Sequence, residues 1–589
     1  MYFWELNKKT ATKIMNIETF IKAIDQQGEL ITVNTPVTPN LEIAELTDRQ
    51  CKSPDGGKAL LFTNTGTDFP VLTNMMGSNK RINKALSVNS LNEIEHRIDS
   101  LFTKVMTPKM SIWEKLSLLP TLKEVSASMP KRKSGKGECQ AIEMEVDLSK
   151  LPILTSAPHD AAPFVTLPMV HTIDPDTGSQ NVGMYRMQVI DNQTTGMHWH
   201  IHKTGASHYR KYKERGEKMP VTVCLGGDPL YTFAATAPLP EGIDEYMLAG
   251  FIKRKPVELV KCLESNIYVP CDVDFVIEGY VDPTEELFYE GPFGDHTGFY
   301  SLEDYYPKFH ITKITHRKNA IYPATIVGVP PMEDFYFALA SERIFVEPIR
   351  KVIAPEVVDM LMPLEGVAHN IVLVSIKKSY PAQAFKVASA LWGAGQMGLN
   401  KCLIILSHRD GVSLMDNFTE ALKTMNPKRD CTIVNGTLDV LDHATPTIGL
   451  GGKIAIDLTE KLPIELVANS PKNDLTVRVS HENSVEQGVV KIVIDSHIPL
   501  ESPMSVVTWL TGANCDPMRD ITLSENSAVV DARAKISVLE RHPQIVTQSK
   551  EIIEMVDKKW EQYGLGEFIE SASLKYIPLL FGEGYKIKK

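Results

Sequence analysis

The sequence has few of the features that mark membrane, secreted or disulfide-bonded proteins. No apolar run approaches the roughly 20 residues that cross a bilayer, and residues 1–9 carry their charge after a very short apolar patch, which is the wrong order for a signal peptide. None of the eight cysteines is spaced as C-x-x-C, and several lie in apolar, strand-like runs. We therefore expect buried free thiols, a reducing compartment and a cytoplasmic location.

Basic residues are fewer than acidic residues. The chain has 62 Lys and Arg against 73 Asp and Glu, a formal net charge of −11, so it gains no counterion-release energy from a phosphate backbone and nucleic-acid binding is not expected. The one basic cluster is Lys131, Arg132, Lys133 and Lys136. Ser and Gly residues interrupt it, which favours a solvated loop over a functional basic tract.

The length of 589 residues predicts about three domains. Residues 1–140 mix helical and strand patterns. Residues 141–325 contain short strands at 166–173, 181–191 and 197–202 joined by turns, which predicts an antiparallel meander that closes into a barrel or strongly bent sheet. A helix near 243–252 interrupts it. Residues 326–589 alternate helix and strand, which predicts an α/β layer with parallel strands. The fold class is therefore α+β with several domains.

Two further features lie in the C-terminal part. Segments 401–430 and 491–520 share a strand–helix–turn pattern 90 residues apart (491 − 401; 520 − 430), which a duplication or chance similarity would explain. A helix across 544–562 carries Ile545, Ile552, Val556 and Trp560 on one stripe. This stripe predicts either a subunit interface or packing within the chain.

Four segments carry residues with chemical potential. Asn181 to Arg186 places an arginine in an apolar strand, which is costly unless the charge is paired. From this segment alone a structural ion pair is favoured over an anchor for a carboxylate or phosphate. His198, His200 and His202 alternate, so on a strand they would share one face and could bind a metal, or form a polar barrel face.

The third segment is the loop Glu290-Gly-Pro-Phe-Gly-Asp-His-Thr-Gly-Phe-Tyr300. Its glycines allow close approach of the backbone to a ligand. If Glu290 and Asp295 converge, one proton is shared and one pKa rises, which would make a general acid. The alternative is a turn with capping acids. In the fourth segment, Asp244 and Glu245 fall at a helix start, where the dipole favours acids.

Together and in this order, these segments resemble the UbiD family of decarboxylases, and in particular its branch acting on polyprenyl-hydroxybenzoates. The resemblance covers about residues 17–463 and includes Leu41-Glu-Ile-Ala-Glu-Leu-Thr-Asp48 and Gly449-Leu-Gly-Gly-Lys453. The loop beside an Asn-x-Gly-x-Tyr-Arg strand is a highly specific combination. The family implies an N-terminal α/β domain (1–140), a central split β-barrel that binds FMN (141–325), and a C-terminal α/β domain with an oligomerising helix (326–589).

The resemblance also implies a site, residue by residue. Prenylated FMN would be the cofactor, with Mn²⁺ or Mg²⁺ bridging to its phosphate and K⁺ nearby. The catalytic acid–Arg–acid network would be Arg186, Glu290 and Asp295. The metal ligands would be Asn181, His202 and Glu245. The flavin contacts would be Met184, Tyr185, Arg186, His198, Trp199, His200, Lys203, Thr204 and, with Lys377 as an alternative, Lys378.

There are departures from the family pattern. His198 and the pair Lys203-Thr204 stand where close relatives commonly carry Arg and Arg-Gly, which puts those phosphate contacts in doubt. Residues 464–535 have no counterpart in the shorter relatives.

The implied function is decarboxylation of an aromatic or unsaturated acid, most readily a 4-hydroxy-3-polyprenylbenzoate-type quinone precursor. Arg186 would orient the carboxylate, and Glu290 or Asp295 would protonate the carbon. Alternative substrates are a menaquinone-pathway naphthoate or a simple phenolic acid. Alternatives of another class are a non-catalytic binding subunit and a zinc hydrolase built on His198–His202. The expected partners are a flavin prenyltransferase that supplies the cofactor, further copies of the chain in a homo-oligomer, and the membrane surface if the substrate is prenylated.

Overall fold

The computed structural model describes residues 15–106, 119–240, 242–465, 473–536 and 542–581, so the prediction about residues 1–9 lies outside the described residues. The N-terminal part has a small mixed sheet flanked by helices. Asn16 caps the first helix by accepting from the Thr19 amide at 3.0 Å. The helices are Ile17–Gln26, Glu42–Cys51, Asn79–Ala85, Asn92–Met106 and Leu119–Ser128, and the strands are Leu30–Val33, Ala59–Phe62 and Val71–Thr73. A fourth strand, Tyr322–Pro323, joins this sheet from beyond the central part.

The central part contains a nine-stranded sheet in which every neighbouring pair is antiparallel. Its strands are Ile142–Met144, Phe164–Val165, Met169–Ile173, Gln180–Met184, Met187–Asp191, Thr194–Gly196, Met219–Leu225, Phe275–Val281 and Lys308–His316. The associated helices are Thr204–Arg215, Pro229–Thr236 and Glu245–Lys253. Two smaller sheets comprise Lys131–Lys133, Glu258–Lys261 and Tyr268–Pro270, and the pair Phe288–Glu290 and Asp304–Tyr306.

The large sheet curls into a half-barrel with an open seam. Gln180–Met184 forms one edge of the sheet, and Met187–Asp191 lies second from the opposite edge. Only Tyr185 and Arg186 connect these two strands, so the two edges must lie close together. The sequence predicted one continuous strand over 181–191. The break arises because the chain crosses the seam at this point, and the crossing places Arg186 there.

Three other expectations for this part are corrected. Residues 197–202 follow the strand Thr194–Gly196 as irregular chain and do not extend it. The helix Thr204–Arg215 was missed because its sequence is polar and has no apolar stripe. Lys131–Lys133, expected in a loop, forms an exposed strand parallel to Glu258–Lys261.

The C-terminal part contains two sheets with parallel cores, as the alternation of helix and strand predicted. The first sheet has the order Val357–Leu361, Ile371–Ile376, Cys402–Ser407, Leu450–Leu458, Cys431–Thr437. The second has the order Thr476–Ser480, Val489–Val493, Ala528–Asp531, Ile521–Leu523. The helices are Asp334–Pro348, Gln383–Trp392, Leu414–Lys423, Pro427–Asp430, Met504–Asn514, Pro517–Asp520, Lys550–Tyr563 and Ser573–Tyr576. Within the described residues, no helix is both long and apolar enough to cross a bilayer.

The two candidate repeat segments occupy equivalent places in these two sheets. In each sheet two parallel pairs are followed by one antiparallel pair. Each repeat also has a short helix that begins with proline and ends with an acid. The amide of the residue before the helix donates to that acid: Asn426 to Asp430 at 2.8 Å, and Asp516 to Asp520 at 2.8 Å. This equivalence favours a duplication, which remains a proposal.

The C-terminal helix Lys550–Tyr563 packs inside the chain against Glu42–Cys51. Buried Arg49 pairs with Asp557 at 2.8 Å and lies 5.3 Å from the Trp560 ring centre. The Tyr563 hydroxyl donates to Glu42 at 2.6 Å. Of the predicted stripe, Val556 and Trp560 are buried in this contact, whereas Ile545 precedes the helix. The apolar stripe is therefore covered within the chain, as one of the two alternatives predicted, and the oligomerising role of the helix stays a prediction.

We expect Trp560→Ala to destabilise the protein by about 3–5 kcal/mol, because it removes a large buried ring from this contact. The measurement is the midpoint of thermal or urea unfolding. Lys558→Ala on the exposed side of the same helix is the matched control and should leave the midpoint almost unchanged. Equal midpoints for Trp560→Ala and the unaltered protein would contradict the packing described here.

Candidate active site

Arg186 lies in the seam of the half-barrel between two buried acids. Its Nε and Nη2 donate to Glu290 Oε1 at 3.0 and 2.7 Å, and its Nη1 pairs with Asp295. Nη2 also donates to Ser301 Oγ at 3.0 Å, and the Phe293 ring centre lies 5.1 Å from the guanidinium carbon. The structure thus brings together the three residues predicted as a catalytic network.

These contacts leave little of Arg186 free. A guanidinium has five N–H donors, and the contacts with Glu290, Asp295 and Ser301 use four of them. The remaining donor is the second N–H of Nη1. A carboxylate entering beside this network would therefore meet one donor, and a bidentate contact would need one acid to move away.

The loop that carries both acids is fixed by its own chain. The Gly294 amide donates to Asp160 at 2.7 Å. A Cβ on Gly291 would lie 2.3 Å from the Ala161 Cβ, and one on Gly294 would lie 2.9 Å from the Ala157 Cβ. We expected these glycines to let a ligand approach the backbone. In the structure segment 157–161 fills the space beside them, so they allow close packing within the chain instead.

The C-terminal part supports the other side of the loop. The Trp509 indole donates to the Thr297 carbonyl at 2.7 Å, and a Cβ on Gly298 would lie 2.5 Å from the Trp509 ring. Gly298 also has φ +85°, a conformation that favours glycine. The Val546 amide donates to the Gly298 carbonyl at 2.9 Å. The loop is therefore held between the half-barrel and the second C-terminal sheet.

Both acids are held in their ionised forms. Burial is the largest single effect and opposes ionisation of both acids. Arg186 acts together with His198 at Glu290 and with His296 at Asp295, and these contacts combined hold the pKa of each carboxyl below its usual range. Burial also opposes protonation of His296, yet the contact with Asp295 raises the pKa of that imidazole to about 9. The expectation of a shared proton and a raised carboxyl pKa is wrong for this arrangement, because Arg186 lies between the two acids.

The histidine segment runs beside this network although it is not a strand. His198 Nδ1 lies 2.8 Å from Glu290 Oε1. The ring centres of His198 and His200 are 4.9 Å apart, and those of His200 and His202 are 5.8 Å apart. Several buried polar atoms here lack a hydrogen-bond partner among the described residues: Thr195 Oγ1, His198 Nε2, Trp199 Nε1, His200 Nδ1 and Glu290 Oε2.

A cation and a helix start follow the histidines. Lys203 is the N-terminal cap residue of Thr204–Arg215, and no side chain caps that helix start. Burial lowers the pKa of the Lys203 ammonium. A Cβ on Gly205 would lie 2.9 Å from Trp199 Nε1. A helix start without a side-chain cap, next to a lysine, is suited to bind a phosphate.

The predicted metal ligands are only partly assembled. Glu245 accepts from the Val182 amide at 3.0 Å, directly beside Asn181, and burial raises the pKa of this carboxyl to about 8. His202 is exposed and is grouped with His200 and Asp439, whose ligand atoms all lie within 4.8 Å of one another. A set of two imidazoles and a carboxylate could hold a divalent ion.

Three predicted flavin contacts have other surroundings. Lys378 donates to both Glu465 oxygens at 2.8 and 2.7 Å and to Thr459 at 3.0 Å. All three ammonium donors are thus engaged inside the C-terminal part, and its role as a cofactor contact is not carried forward. Met184 packs against an apolar cluster, and Tyr185 is buried beside Gly205.

Four residues that the structure places at this site were not predicted from the sequence. His296 and Ser301 lie in or next to the predicted loop and could have been found from their position. His369 and Asp439 belong to the C-terminal part. No local motif marks either of these two, because their proximity to the barrel depends on how the domains pack.

Models of one protein family match three consecutive parts of the chain. They describe the N-terminal domain (residues 21–101), the Rift-related domain (131–330) and the C-terminal domain (335–458) of 3-octaprenyl-4-hydroxybenzoate carboxy-lyase. An uncharacterised protein of Aquifex aeolicus is 47% identical over 455 residues, covering 76% of this chain and 92% of the relative. An uncharacterised protein of Helicobacter pylori J99 is 34% identical over 612 residues, covering 95% of this chain and 97% of the relative.

Solved structures show the same fold. Vanillic acid decarboxylase of Sedimentibacter hydroxybenzoicus in its closed form has a TM-score of 0.67 and 24% identity, covering 78% of this chain and 96% of its own. The UbiD-class enzyme HmfF of Pelotomaculum thermopropionicum, in complex with FMN, has a TM-score of 0.63 and 24% identity, covering 76% of this chain and 95% of its own.

Two lysines provide a matched test of the phosphate position. Lys203→Met should lower the amount of flavin that co-purifies with the chain, because it removes the buried cation at the helix start. Lys378→Met should leave flavin content unchanged, because that lysine binds Glu465. Absorbance of the released flavin per chain is the measurement, and the reverse pattern would restore Lys378 to the cofactor site.

Proposed function

Since this chain belongs to the UbiD family of carboxy-lyases, we propose that it decarboxylates a 4-hydroxy-3-polyprenylbenzoate-type quinone precursor with prenylated FMN and a divalent metal ion. The observation that carries this proposal is the buried network of Arg186 with Glu290 and Asp295 in the seam of the half-barrel. A menaquinone-pathway naphthoate or a simple phenolic acid is the alternative substrate.

The residues present fit a flavin phosphate and ring system. Each buried polar atom left without a partner costs about 1–3 kcal/mol, and four such atoms lie within residues 195–200. A polar ring bound along this segment would satisfy them. The helix start at Thr204 with Lys203 suits the phosphate. Glu245 and Asn181 would hold the metal ion next to it, and a cation there would offset the burial of the Glu245 carboxyl.

The chain's own residues would act as follows. Prenylated FMN, when bound, supplies the sink for the electron pair that the departing CO₂ leaves on the substrate carbon. The free N–H of Arg186 orients the substrate carboxylate. That carboxylate adds a third negative charge beside one guanidinium, which raises the pKa of Glu290 or Asp295 and allows one of them to take up a proton. The protonated acid then delivers the proton to the substrate carbon.

Further parts of the proposal concern partners. A separate flavin prenyltransferase would supply the cofactor. A polyprenyl substrate would bring the protein to the membrane surface. Homo-oligomer formation is retained as a proposal, through a surface other than the apolar stripe of Lys550–Tyr563.

We expect cofactor binding to require the metal ligands. Asn181→Ala and Glu245→Gln, each co-expressed with a flavin prenyltransferase, should co-purify with less manganese and less flavin, because the bridge to the phosphate is lost. Elemental analysis and flavin absorbance are the measurements, with Glu258→Gln in the small sheet as the control. Full flavin occupancy in both variants would remove these residues from the metal site.

Turnover should depend on both acids. Glu290→Gln and Asp295→Asn should lower the rate of CO₂ release by about 10²–10⁴-fold, because an amide cannot deliver a proton. A 3-polyprenyl-4-hydroxybenzoate, a dihydroxynaphthoate, vanillic acid and 3,4-dihydroxybenzoic acid form the substrate panel. Glu285→Gln, a more exposed carboxyl of the same region bound to His310, is the control. If both network variants retain flavin and turn over at the unaltered rate, the loop is only a structural turn.

A further inference from the structure

We propose that His296 and His369 form the route by which the Arg186–Glu290–Asp295 network regains the proton that each decarboxylation consumes. His369 comes from the C-terminal part, so this part of the chain would complete the proton supply of a site built on the half-barrel. The inference rests on the proposed decarboxylation and extends it to a residue that acts through the network rather than on the substrate.

The proton balance requires such a route. When a carboxylate loses CO₂, the bond's electron pair stays on the carbon and takes up a proton, so each turnover removes one proton from the network. Water must replace it. The Glu290 side chain is only 1% exposed and that of Asp295 is 9% exposed, whereas that of His296 is 25% exposed. The acids therefore need an intermediary that reaches solvent.

The contacts form a continuous chain from the acid outward. Asp295 Oδ1 lies 3.1 Å from His296 Nδ1, and His296 Nε2 lies 3.2 Å from His369 Nε2. Two ring nitrogens at hydrogen-bond distance must share one proton, because one ring donates and the other accepts. The facing Nε2 atoms therefore hold one proton between them, either in an imidazolium–imidazole pair or in two neutral rings of opposite tautomer.

The proton transfer needs no reactant other than water. His296 gives its Nδ1 proton to Asp295 and keeps the Nε2 proton, so both rings become neutral. After Asp295 or Glu290 has delivered a proton to carbon, reorientation of the whole His296 side chain brings its protonated Nε2 to Asp295 and turns Nδ1 toward His369. His369 then takes up one proton from water and shares it with His296, which restores the starting state.

The backbone before His369 is held in an unfavourable conformation. Val367 has φ +43° and Ala368 has φ +67°. Left-handed geometry is unfavourable for a residue with a Cβ, and a β-branched residue there is a genuine outlier. The segment is fixed on both sides: the Asn370 amide donates to Gly366 at 2.7 Å, and the His369 carbonyl accepts from the Lys401 amide at 3.2 Å. Such strain persists where the surroundings impose it, and it is concentrated at functional positions.

The charges around the pair favour one excess proton. Asp295, Asp334 and Asp439 act on His296, and Asp439, Asp442 and Lys401 act on His369. Burial lowers the pKa of His369, whereas Asp295 outweighs burial at His296, whose pKa is about 9. These charges favour a protonated His296 beside a neutral His369 near pH 7.

The test removes the outer member of the pair. His369→Ala should lower kcat about 10- to 100-fold on the best acid of the panel, with KM and flavin content unchanged, and added imidazole should restore part of the rate. His369→Gln keeps a hydrogen-bonding group next to His296 but cannot carry a proton, so it should be equally slow. His408→Ala, a histidine of the same part bound to exposed Asp410, should neither lose rate nor respond to imidazole.

Each outcome is decisive. Unchanged kcat in His369→Ala, a normal rate in His369→Gln, or loss without imidazole rescue would each overturn the relay and leave His369 with a structural role at most. A second measurement does not depend on turnover. ¹⁵N-histidine NMR of the intact protein should show one proton shared between the two rings near pH 7, and two neutral rings without a shared proton would also overturn the relay. An unaltered protein that releases no CO₂ from any acid of the panel would instead count against the proposed function.

Discussion

The arrangement of this site depends on one guanidinium buried between two carboxylates. A buried charge is tolerated only when it is paired and hydrogen-bonded, and Arg186 meets this requirement with Glu290, Asp295 and Ser301. Two carboxylates and one guanidinium leave a net negative charge. His198 contacts Glu290 and His296 contacts Asp295, one on either side of this network. The seam, the rigid loop and the histidine segment must all be in place for this arrangement to form.

The sequence predicted which residues form this network but did not predict how they are arranged. Arg186, Glu290 and Asp295 could be found because an arginine in an apolar strand and acids in a Gly-Pro loop are locally unusual. The strand break at Tyr185–Arg186 could not, because alternation of side chains looks the same on either side of a seam. The carboxyl pKa values were predicted in the wrong direction, since the sequence could not show that Arg186 lies between the two acids. His369 and Asp439 were invisible for a simpler reason: their role depends on contacts between segments more than 70 residues apart in the chain.

The chain beyond residue 458, where the match to the C-terminal family model ends, contacts the loop of the site. Trp509 belongs to the second C-terminal sheet region and packs on Gly298 while its indole binds the Thr297 carbonyl. The strand order of that sheet repeats the order of the first, and we infer that it arose by duplication. The second copy then supports the loop 290–300 from the side opposite to segment 157–161. A loop held on both faces keeps Glu290 and Asp295 at fixed positions, which limits the reorganisation that charge movement would otherwise require.

The same rigidity gives a physical reason for the proton route that we propose from the C-terminal part. A loop packed on both sides cannot open to let water reach Asp295 at each turnover. Protonation would then follow side chains that can reorient, and His296 is the neighbour of Asp295 whose second ring nitrogen points away from the network toward His369. The arrangement separates two tasks. Arg186 keeps the acids ionised and in place between turnovers, while the histidine pair holds a proton beside them that solvent can replace. The site can therefore hold the two acids in place and also return protons to them, because different residues perform each task.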